Sequence, residues 1–372
     1  MKGVPVPAEA PRKREGHDQR VQARRFAAQL LSAERAGSAV EVAGRLLAIQ
    51  GQDPRGARLA VRSRTAGLTA ADVDRALTDD RSLLITWLNR GTLHLVRSED
   101  YWWLHPLTAK SQFQIGCLRV LARLGVSEYQ ADKGVAVVEK ALRTDGPMIR
   151  ARLAESIATA GLPRDGGVAL HVLMLASLRG IAVRGPMIGG QHAYVSARDW
   201  LGSAPHPFDR DAALAELARR YLAGHGPASD RDLAKWSGLP LGEVRRGLHA
   251  IAGELRELPD GLMELAAAPT WEQNFPSPRL LGAFDAVLLG WESREPILGG
   301  CKGVVTVNGL FRPFALVAGR AAAIWAYSAG RVTVDQFEAL PPDVDAALAA
   351  EARDVARFLA GSPADQEQDE AA

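Results

Sequence analysis

The sequence predicts an α+β fold: tandem winged-helix (helix-turn-helix) modules followed by a C-terminal β-hairpin-rich region. Three observations predict it. Gly146-Pro147 and, five residues on, Leu153-Ala154 recur as Gly226-Pro227 and Leu233-Ala234, offset by 80 positions in every case. The first copy continues through Leu178–Val183 to Gly189–Val195, two β-prone runs around a Gly-rich turn, and that is a hairpin signal. Helix, turn, helix, hairpin is the order of a winged helix. After Pro269 the composition shifts to short apolar runs broken by turn residues, among them Asn308-Gly309, the strongest short-range hairpin signal.

The elements follow in chain order. From Arg20, Val21, Phe26, Leu30 and Leu31 recur at helical spacing. Val40–Ile49 places Val42, Leu46, Leu47 and Ile49 on one stripe, so a helix is expected to end in Gln50 and Gln52. Pro54 and the neighbouring glycines then block helix. Leu68–Asp72 reads as a helix start, with Thr69 as cap and Asp72 in the capping-box position. Thr92–Val96 alternates as a strand does and is followed by Tyr101-Trp102-Trp103; such a mixture suits α+β modules better than a parallel sheet. Val304–Phe311 predicts one hairpin, and Phe314–Val317 with Ala322–Tyr327, joined by Gly319-Arg320, a second. Val344–Leu359 closes the chain as a helix. The expected divisions are a flexible basic tail at 1–19, winged-helix modules at 20–125, 126–204 and 205–270, a β-rich module with its closing helix at 271–360, and an acidic tail at 361–372.

Composition bounds the function. A chain of 372 residues with 47% hydrophobic and 24% charged residues has the apolar mass for several cores and is not a disordered protein. Its net charge of +2 neither demands nor excludes a nucleic-acid partner. The ends differ in sign, net +4 over residues 1–25 and net −4 over the last twelve, which reads as two solvated tails. Cys117 and Cys301 form no CxxC or Cys/His cluster, so zinc fingers, iron–sulfur clusters and disulfide scaffolds are excluded on spacing. A reduced, cytoplasmic chain is expected. The start has no apolar signal region. The longest apolar runs, Val168–Leu178 and Leu280–Gly290, fall well short of the ~20 residues a membrane span needs.

The common catalytic signatures GxGxxG, GxxxxGK[ST], HExxH and GxSxG are missing. The eight histidines lack ligand spacing, so no metal or cofactor is expected. What stands out is Arg45 to Arg58, where an apolar run ends in Gln50 and Gln52 and arginines follow; residues 45–64 carry net +4. Gln-x-Gln also occurs at 112/114 and 366/368, and only the first lies beside a basic segment just before a proline. The plain reading of the pair is a polar helix end satisfying backbone carbonyls. Arg55, Arg58, Arg90 and Arg294 suit phosphate, because a guanidinium binds it bidentately; the plain reading is a solvated or ion-paired arginine. For His94, and for Trp87, Trp102 and Trp103, the plain reading is packing.

Taken together, these segments resemble the AlkZ/YcaQ family of DNA glycosylases, tandem winged-helix proteins that excise alkylated bases and can unhook interstrand crosslinks. The match is carried by Leu47-Ala48-Ile49-Gln50-Gly51-Gln52, by Trp87-Leu88-Asn89-Arg90-Gly91-Thr92-Leu93-His94-Leu95-Val96, by the Gly-Pro helix-turn-helix starts, by Leu280–Asp285, and by Asn308–Pro313 through Gly319-Arg320 to Trp325. These occur in family order over roughly residues 20–345, and the Arg-Gly-Thr-x-His block is the most distinctive piece. The family motif is Gln-x-Gln in AlkZ-like and Gln-x-Asp in YcaQ-like members, so Gln50 and Gln52 place this chain with the first group. Gly51 stands where the family more usually has an aliphatic residue or alanine, a departure expected to leave the pair less constrained.

The resemblance implies a monofunctional DNA glycosylase that hydrolyses the N-glycosidic bond of N-alkylated, cationic purines in duplex DNA, with crosslink unhooking or self-resistance to a genotoxin as extensions. Gln50 and Gln52 would be catalytic; Arg55, Arg58, Arg90, His94 and Arg294 would contact DNA. No metal or cofactor, no membrane, a monomer and a cytoplasmic, nucleoid-associated location complete the expectation. Two neutral amides are chemically sufficient because the base already carries the positive charge that an acid would otherwise supply. Two other readings stand beside this one: a non-catalytic winged-helix transcription regulator and a genotoxin-binding resistance protein.

Overall fold

A computed structural model describes residues 11–32, 34–269 and 275–360. The chain opens with α1 (Pro11–Ala28), α2 (Ala39–Leu46), the two-residue strand β1 (Ile49–Gln50), α3 (Pro54–Arg62), α4 (Ala70–Thr78), the pair β2 (Leu83–Leu88) and β3 (Thr92–Arg97), α5 (Tyr101–Thr108) and α6 (Ser111–Arg123). Next come α7 (Glu128–Asp145), α8 (Arg150–Thr159), α9 (Gly166–Leu178), β4 (Ala182–Ile188), β5 (Gln191–Ser196) and the short α10 (Ala197–Leu201). Then α11 (Arg210–His225), α12 (Asp230–Ser237), α13 (Leu241–Ala250), β6 (Leu255–Glu257) and β7 (Met263–Leu265) repeat the pattern of three helices and a hairpin. The remainder is β8 (Arg279–Leu281), the single turns α14 (Ala286–Leu289) and α15 (Glu295–Leu298), β9 (Phe314–Val317), β10 (Arg320–Ser328), β11 (Arg331–Gln336) and α16 (Pro342–Leu359).

The 80-residue echo is structural. Leu153 on α8 and Leu233 on α12 are both buried. The isolated antiparallel bridge Met148↔Tyr194 of the first copy recurs as Ala228↔Met263 in the second. The same order of three helices and a hairpin, interrupted by β1, occurs in α2 to β3. The expected division between residues 125 and 126 is not a structural one, because five strands join in one antiparallel sheet of order β1-β3-β2-β4-β5 that spans both modules. Ile85 of β2 pairs with Arg184 of β4 across the junction. A four-stranded antiparallel sheet of order β11-β10-β9-β8 forms the C-terminal region, and α16 packs on it and on α3.

Several expectations need correction. Helix begins at Pro11 rather than Arg20, so the tail expected at 1–19 is helical in its second half, while residues 1–10 and 361–372 lie outside the described residues. The helix expected to run to Ile49 stops at Leu46, because Leu47 takes a positive φ of 64° that a helix cannot continue through, and Ile49-Gln50 then pair with β3. Pro54 starts a helix rather than blocking one. It occupies the first turn of α3, where its missing N–H has no partner to lose, and Asp53 caps that helix by accepting from the Gly56 N–H at 2.9 Å. Around Asn308-Gly309 a turn closed by the Thr306 N–H to the Leu310 carbonyl at 2.8 Å carries only the single bridge Val305↔Phe311. The capping box at Thr69 is present, its N–H donating to Asp72 Oδ2 at 2.7 Å. So is the hairpin through Gly319, as β9 and β10, and the closing helix starts slightly earlier, at Pro342.

Candidate active site

The first sheet positions the glutamines. Gln50 lies opposite His94 in the β1–β3 pairing, and His94 lies opposite Thr86 in the β3–β2 pairing. Thr86, His94 and Gln50 therefore form a polar row across three strands on one face of the sheet. The alternate residues Ile49, Leu95 and Ile85 are buried in the core on the other face. Pairing continues one residue past the strand, where the Gly51 N–H donates to the Leu93 carbonyl at 2.7 Å.

Extended backbone is what makes the i, i+2 spacing meaningful. On a helix those two side chains would point about 200° apart; on extended chain they share a side. Gln50 is 7% exposed, and its Nε2 donates to Gln52 Oε1 at 2.7 Å. Gln52 itself is exposed. On the inner side the Thr92 hydroxyl donates to Gln50 Oε1 at 3.2 Å. The result is a chain of three side chains that starts at the head of β3 and ends at solvent. The backbone up to and including the Gly51 N–H is held to β3.

His94 sits behind the pair. It is 2% exposed, with Nδ1 2.9 Å from the Thr92 carbonyl oxygen. Burial first, and the nearby Arg90 charge second, push its pKa down to about 3, so near neutrality it is uncharged. His94 is expected from the sequence to contact DNA; the structure places its ring behind the glutamines at 2% exposure, with Nδ1 beside the Thr92 carbonyl.

The four candidate arginines divide. Arg58 is 2% exposed; its Nε donates to Asp74 Oδ1 at 2.8 Å and its Nη1 to the Pro54 carbonyl at 2.9 Å. Its expected role at phosphate is therefore corrected, because both donors are committed inside the protein. The neighbouring arginines of the basic run behave alike. Arg62 bonds Asp354 at 2.9 Å and Glu351 at 2.7 Å, and Arg64 holds Asp285 with two bonds of 2.9 and 2.8 Å. A run that reads as a basic face is mostly a set of inward ion pairs fastening α3 to the rest of the molecule. Close approach assists: a Cβ on Gly56 would lie 2.4 Å from the Ala283 carbonyl oxygen, which is why helix α3 carries glycine there.

Arg55, Arg90 and Arg294 are partly exposed. Arg55 lies over the Tyr327 ring and donates to that residue's carbonyl at 3.4 Å. Arg90 Nη1 donates to the carbonyls of Lys235, at 3.1 Å, and Trp236, at the C-terminal end of α12, where helix carbonyls concentrate negative potential. Arg294 Nε donates to the Leu288 carbonyl at 2.8 Å, and its guanidinium lies 4.9 Å from the centre of the Phe311 ring. Burial lowers the Arg90 pKa and the Arg294 charge lowers it further. Arg294 and His94 are thus both electrostatic neighbours of Arg90. Gln50, Gln52 and Thr92 are thus joined by hydrogen bonds with His94 beside them, Arg90 lies near His94 and Arg294 near Arg90, and Arg55 and Arg58 stand on α3, which starts two residues past Gln52.

Thr92, bonded to Gln50, is the side chain of this cluster to which the sequence reading assigned no part. Its signal was available: Thr92 and His94 alternate on one strand face, within the Arg-Gly-Thr-x-His block. Among the described residues, no group of three or more His, Cys, Asp or Glu side chains is arranged to hold a metal ion, and no helix is long and apolar enough to cross a membrane. Cavities of about 790 and 570 Å3 are lined by other residues, the first around Gln22, Phe275 and Pro296 and the second around Arg45, Arg97 and Arg220.

The family described as "DNA glycosylase AlkZ-like" matches residues 43–358. A Streptomyces sahachiroi protein named "Interstrand DNA cross-link repair glycosylase" is 26% identical over 376 residues, covering 90% of this chain and 96% of that protein. The solved structure of "Streptomyces sahachiroi DNA glycosylase AlkZ" superposes with a TM-score of 0.72 at 26% identity, over 91% of this chain and 96% of that one.

Proposed function

Because the chain belongs to the AlkZ-like DNA glycosylase family, we propose that it hydrolyses the N-glycosidic bond of N-alkylated, cationic purines in duplex DNA, with Gln50 and Gln52 as its catalytic residues. The observation that supports this reading is the amide-to-amide hydrogen bond of 2.7 Å that links a nearly buried glutamine to an exposed one.

The chemistry asks little of the protein. An alkylated purine carries a positive charge, so the glycosidic electron pair leaves with the base and neutralises it, and no acid is needed. A water oxygen bonds C1′ and its proton passes to solvent. Gln52 Oε1 accepts from Gln50 and keeps a second lone pair, to which that water donates a hydrogen bond while turning its own lone pair to the sugar. Gln50 acts through that bond: its oxygen is turned inward to Thr92 and its amide N–H fixes Gln52 Oε1, whose dipole faces the oxocarbenium-like sugar. Holding the water in place contributes several kcal/mol, with about 7–11 as the ceiling in intramolecular systems. The carboxylates of ordinary glycoside hydrolysis are engaged otherwise here: Asp53 caps α3 and Asp285 is locked by Arg64.

Arg294, Arg90 and Arg55 are the phosphate contacts in this proposal. The units of three helices and a hairpin are read as winged helices, the protein as a monomer acting at the nucleoid, without metal or cofactor. We extend the substrate to interstrand crosslinks, the lesion in the name of the Streptomyces relative. A catalytic group at the surface suits a nucleotide that a crosslink prevents from swinging into a deep pocket.

The regulator reading fares worse. In α9, the third helix of its unit, every residue from Gly167 to Leu178 is buried or half-buried, so that helix has no face to lay in a groove. In α13, Arg245 and Arg246 are exposed but paired with Asp230 and Asp211. Incubating duplex DNA that contains 7-methylguanine with the wild type, Gln50→Ala and Gln52→Ala, and counting alkali-labile sites, tests the proposal. Loss in both variants is expected. Equal release by all three proteins overturns it.

A further inference from the structure

Resting on that reading of the glutamines, we infer that Thr92 is a positioning residue for the reaction: its hydroxyl anchors the inner end of the Gln50 carboxamide so that the outer end aims at Gln52. Gln50 Oε1 is an acceptor only, so across the 3.2 Å contact the hydroxyl must be the donor. The carboxamide is planar. Fixing its oxygen and directing its nitrogen at Gln52 Oε1, 2.7 Å away, determines the whole group by two points, and Gln52 inherits that orientation.

The surroundings hold Thr92 itself still. A β-branched side chain on a strand has little freedom about χ1, and Thr92 is the first residue of β3, paired with Leu88 of β2. The connecting turn, residues 89 to 91, is fixed from two sides. Gly91 has a φ of 75°, and a Cβ there would lie 2.8 Å from the Phe113 ring, so glycine alone fits. Arg90 ties the same turn to the end of α12 through the Lys235 and Trp236 carbonyls. In the Arg-Gly-Thr-x-His block each residue then has a mechanical part: Arg90 fastens the turn, Gly91 lets it close, Thr92 aims the glutamines, and His94 packs behind them as a neutral ring. DNA need not touch Thr92 for any of this.

The test compares Thr92→Val, which keeps the shape and removes the donor, with Thr92→Ser, which keeps the donor. Single-turnover release of 7-methylguanine is measured at saturating enzyme, alongside the Kd for the unmodified duplex and the melting temperature. One neutral hydrogen bond is worth about 1 kcal/mol, so Thr92→Val is expected to slow release about five- to tenfold, with Kd changed by less than about twofold, and Thr92→Ser to restore most of the rate. In a Gln50→Ala background, Thr92→Val is expected to add nothing. If Thr92→Val equals the wild type, or if Thr92→Ser is as slow as Thr92→Val, the inference is overturned. Its failure is distinguishable from failure of the catalytic reading, in which Gln50→Ala and Gln52→Ala would also release base at the wild-type rate.

Discussion

Gln50 and His94 face each other across the β1–β3 pair, one linked outward to an exposed amide and the other sealed behind it at 2% exposure. The proposed catalysis by the glutamines needs no ionisable group of this pair. With the His94 pKa at about 3, the single-turnover rate of DNA-bound enzyme should be flat from pH 6.5 to 8. A pH–rate profile with a limb near 6.5 that disappears in His94→Asn would contradict this.

Stability, in contrast, should depend on pH. His94 and His225 are pushed down to about 3 and His105 to about 4, burial being the largest cause in each. Below pH 6.5 the unfolded chain takes up protons at these sites and the folded chain does not. Their contribution is therefore complete above about pH 6.5 and is lost as pH falls through the window towards 3–4. By pH 5 each histidine can remove at most about 2 kcal/mol. Together they can remove at most about 6 kcal/mol, and with an unfolding entropy of about 2.1 cal/mol/K per residue thermal melts at pH 7 and pH 5 should differ by up to about 8 °C; an unchanged Tm would mean that these rings protonate freely.

The arginines separate into two experimental classes. Arg64 and Asp285 are both fully buried and doubly bonded, so Asp285→Ala leaves an unpaired interior cation and should destabilise the protein by about 3–5 kcal/mol in chemical denaturation. A loss below about 1 kcal/mol would show that the pair holds little.

Arg294 should behave in the opposite way. It is partly exposed beside Arg90, and Arg294→Ala should leave stability within about 0.5 kcal/mol while weakening duplex binding and lowering the slope of log K against log salt by about 1. Binding measured from low to moderate salt decides it; an unchanged slope would remove Arg294 from the phosphate contacts.

Why the sequence revealed the family but misread the backbone around the two glutamines can be traced to particular residues. Leu46 to Ile49 is a short apolar run, which suits helix and buried strand equally; only the positive φ of Leu47 and the pairing with Leu95 decide for strand. The hairpins through Gly189-Gly190 and Gly319 were legible because their turn chemistry is local. The basic run was not, because its partners are remote: Asp74 is 16 positions from Arg58, Asp285 is 221 from Arg64, and Asp354 is 292 from Arg62. Charge counted along the chain cannot see carboxylates brought in by folding. Thr92 escaped for a related reason, since its partner Gln50 lies 42 positions away on another strand.

Two glycines of the motif region give the last contrast. Gly51 stands between the glutamines, yet a Cβ there would meet its nearest neighbour, the Leu95 backbone nitrogen, at 3.4 Å, an ordinary van der Waals contact. The extended backbone is held by the Leu93 carbonyl whatever the side chain. Gly51→Ala should therefore keep the Tm within a few degrees and the excision rate within about threefold, since the added carbon overpacks nothing and a Gly→Ala change at a compatible backbone is worth less than about 1 kcal/mol. Gly56 is different. The added carbon would lie 2.4 Å from the Ala283 carbonyl oxygen, and that backbone is held in place by Asp285 two residues on, so neither side can yield without moving α3. Overpacking of this kind costs about 1–3 kcal/mol or more, and Gly56→Ala should lower the Tm clearly while Gly51→Ala does not. Because α3 starts at Pro54, next to the site, the excision rate of Gly56→Ala should fall as well. Equal melting temperatures for the two alanine variants would mean that α3 and the Gly282–Asp285 segment are not in the close contact described.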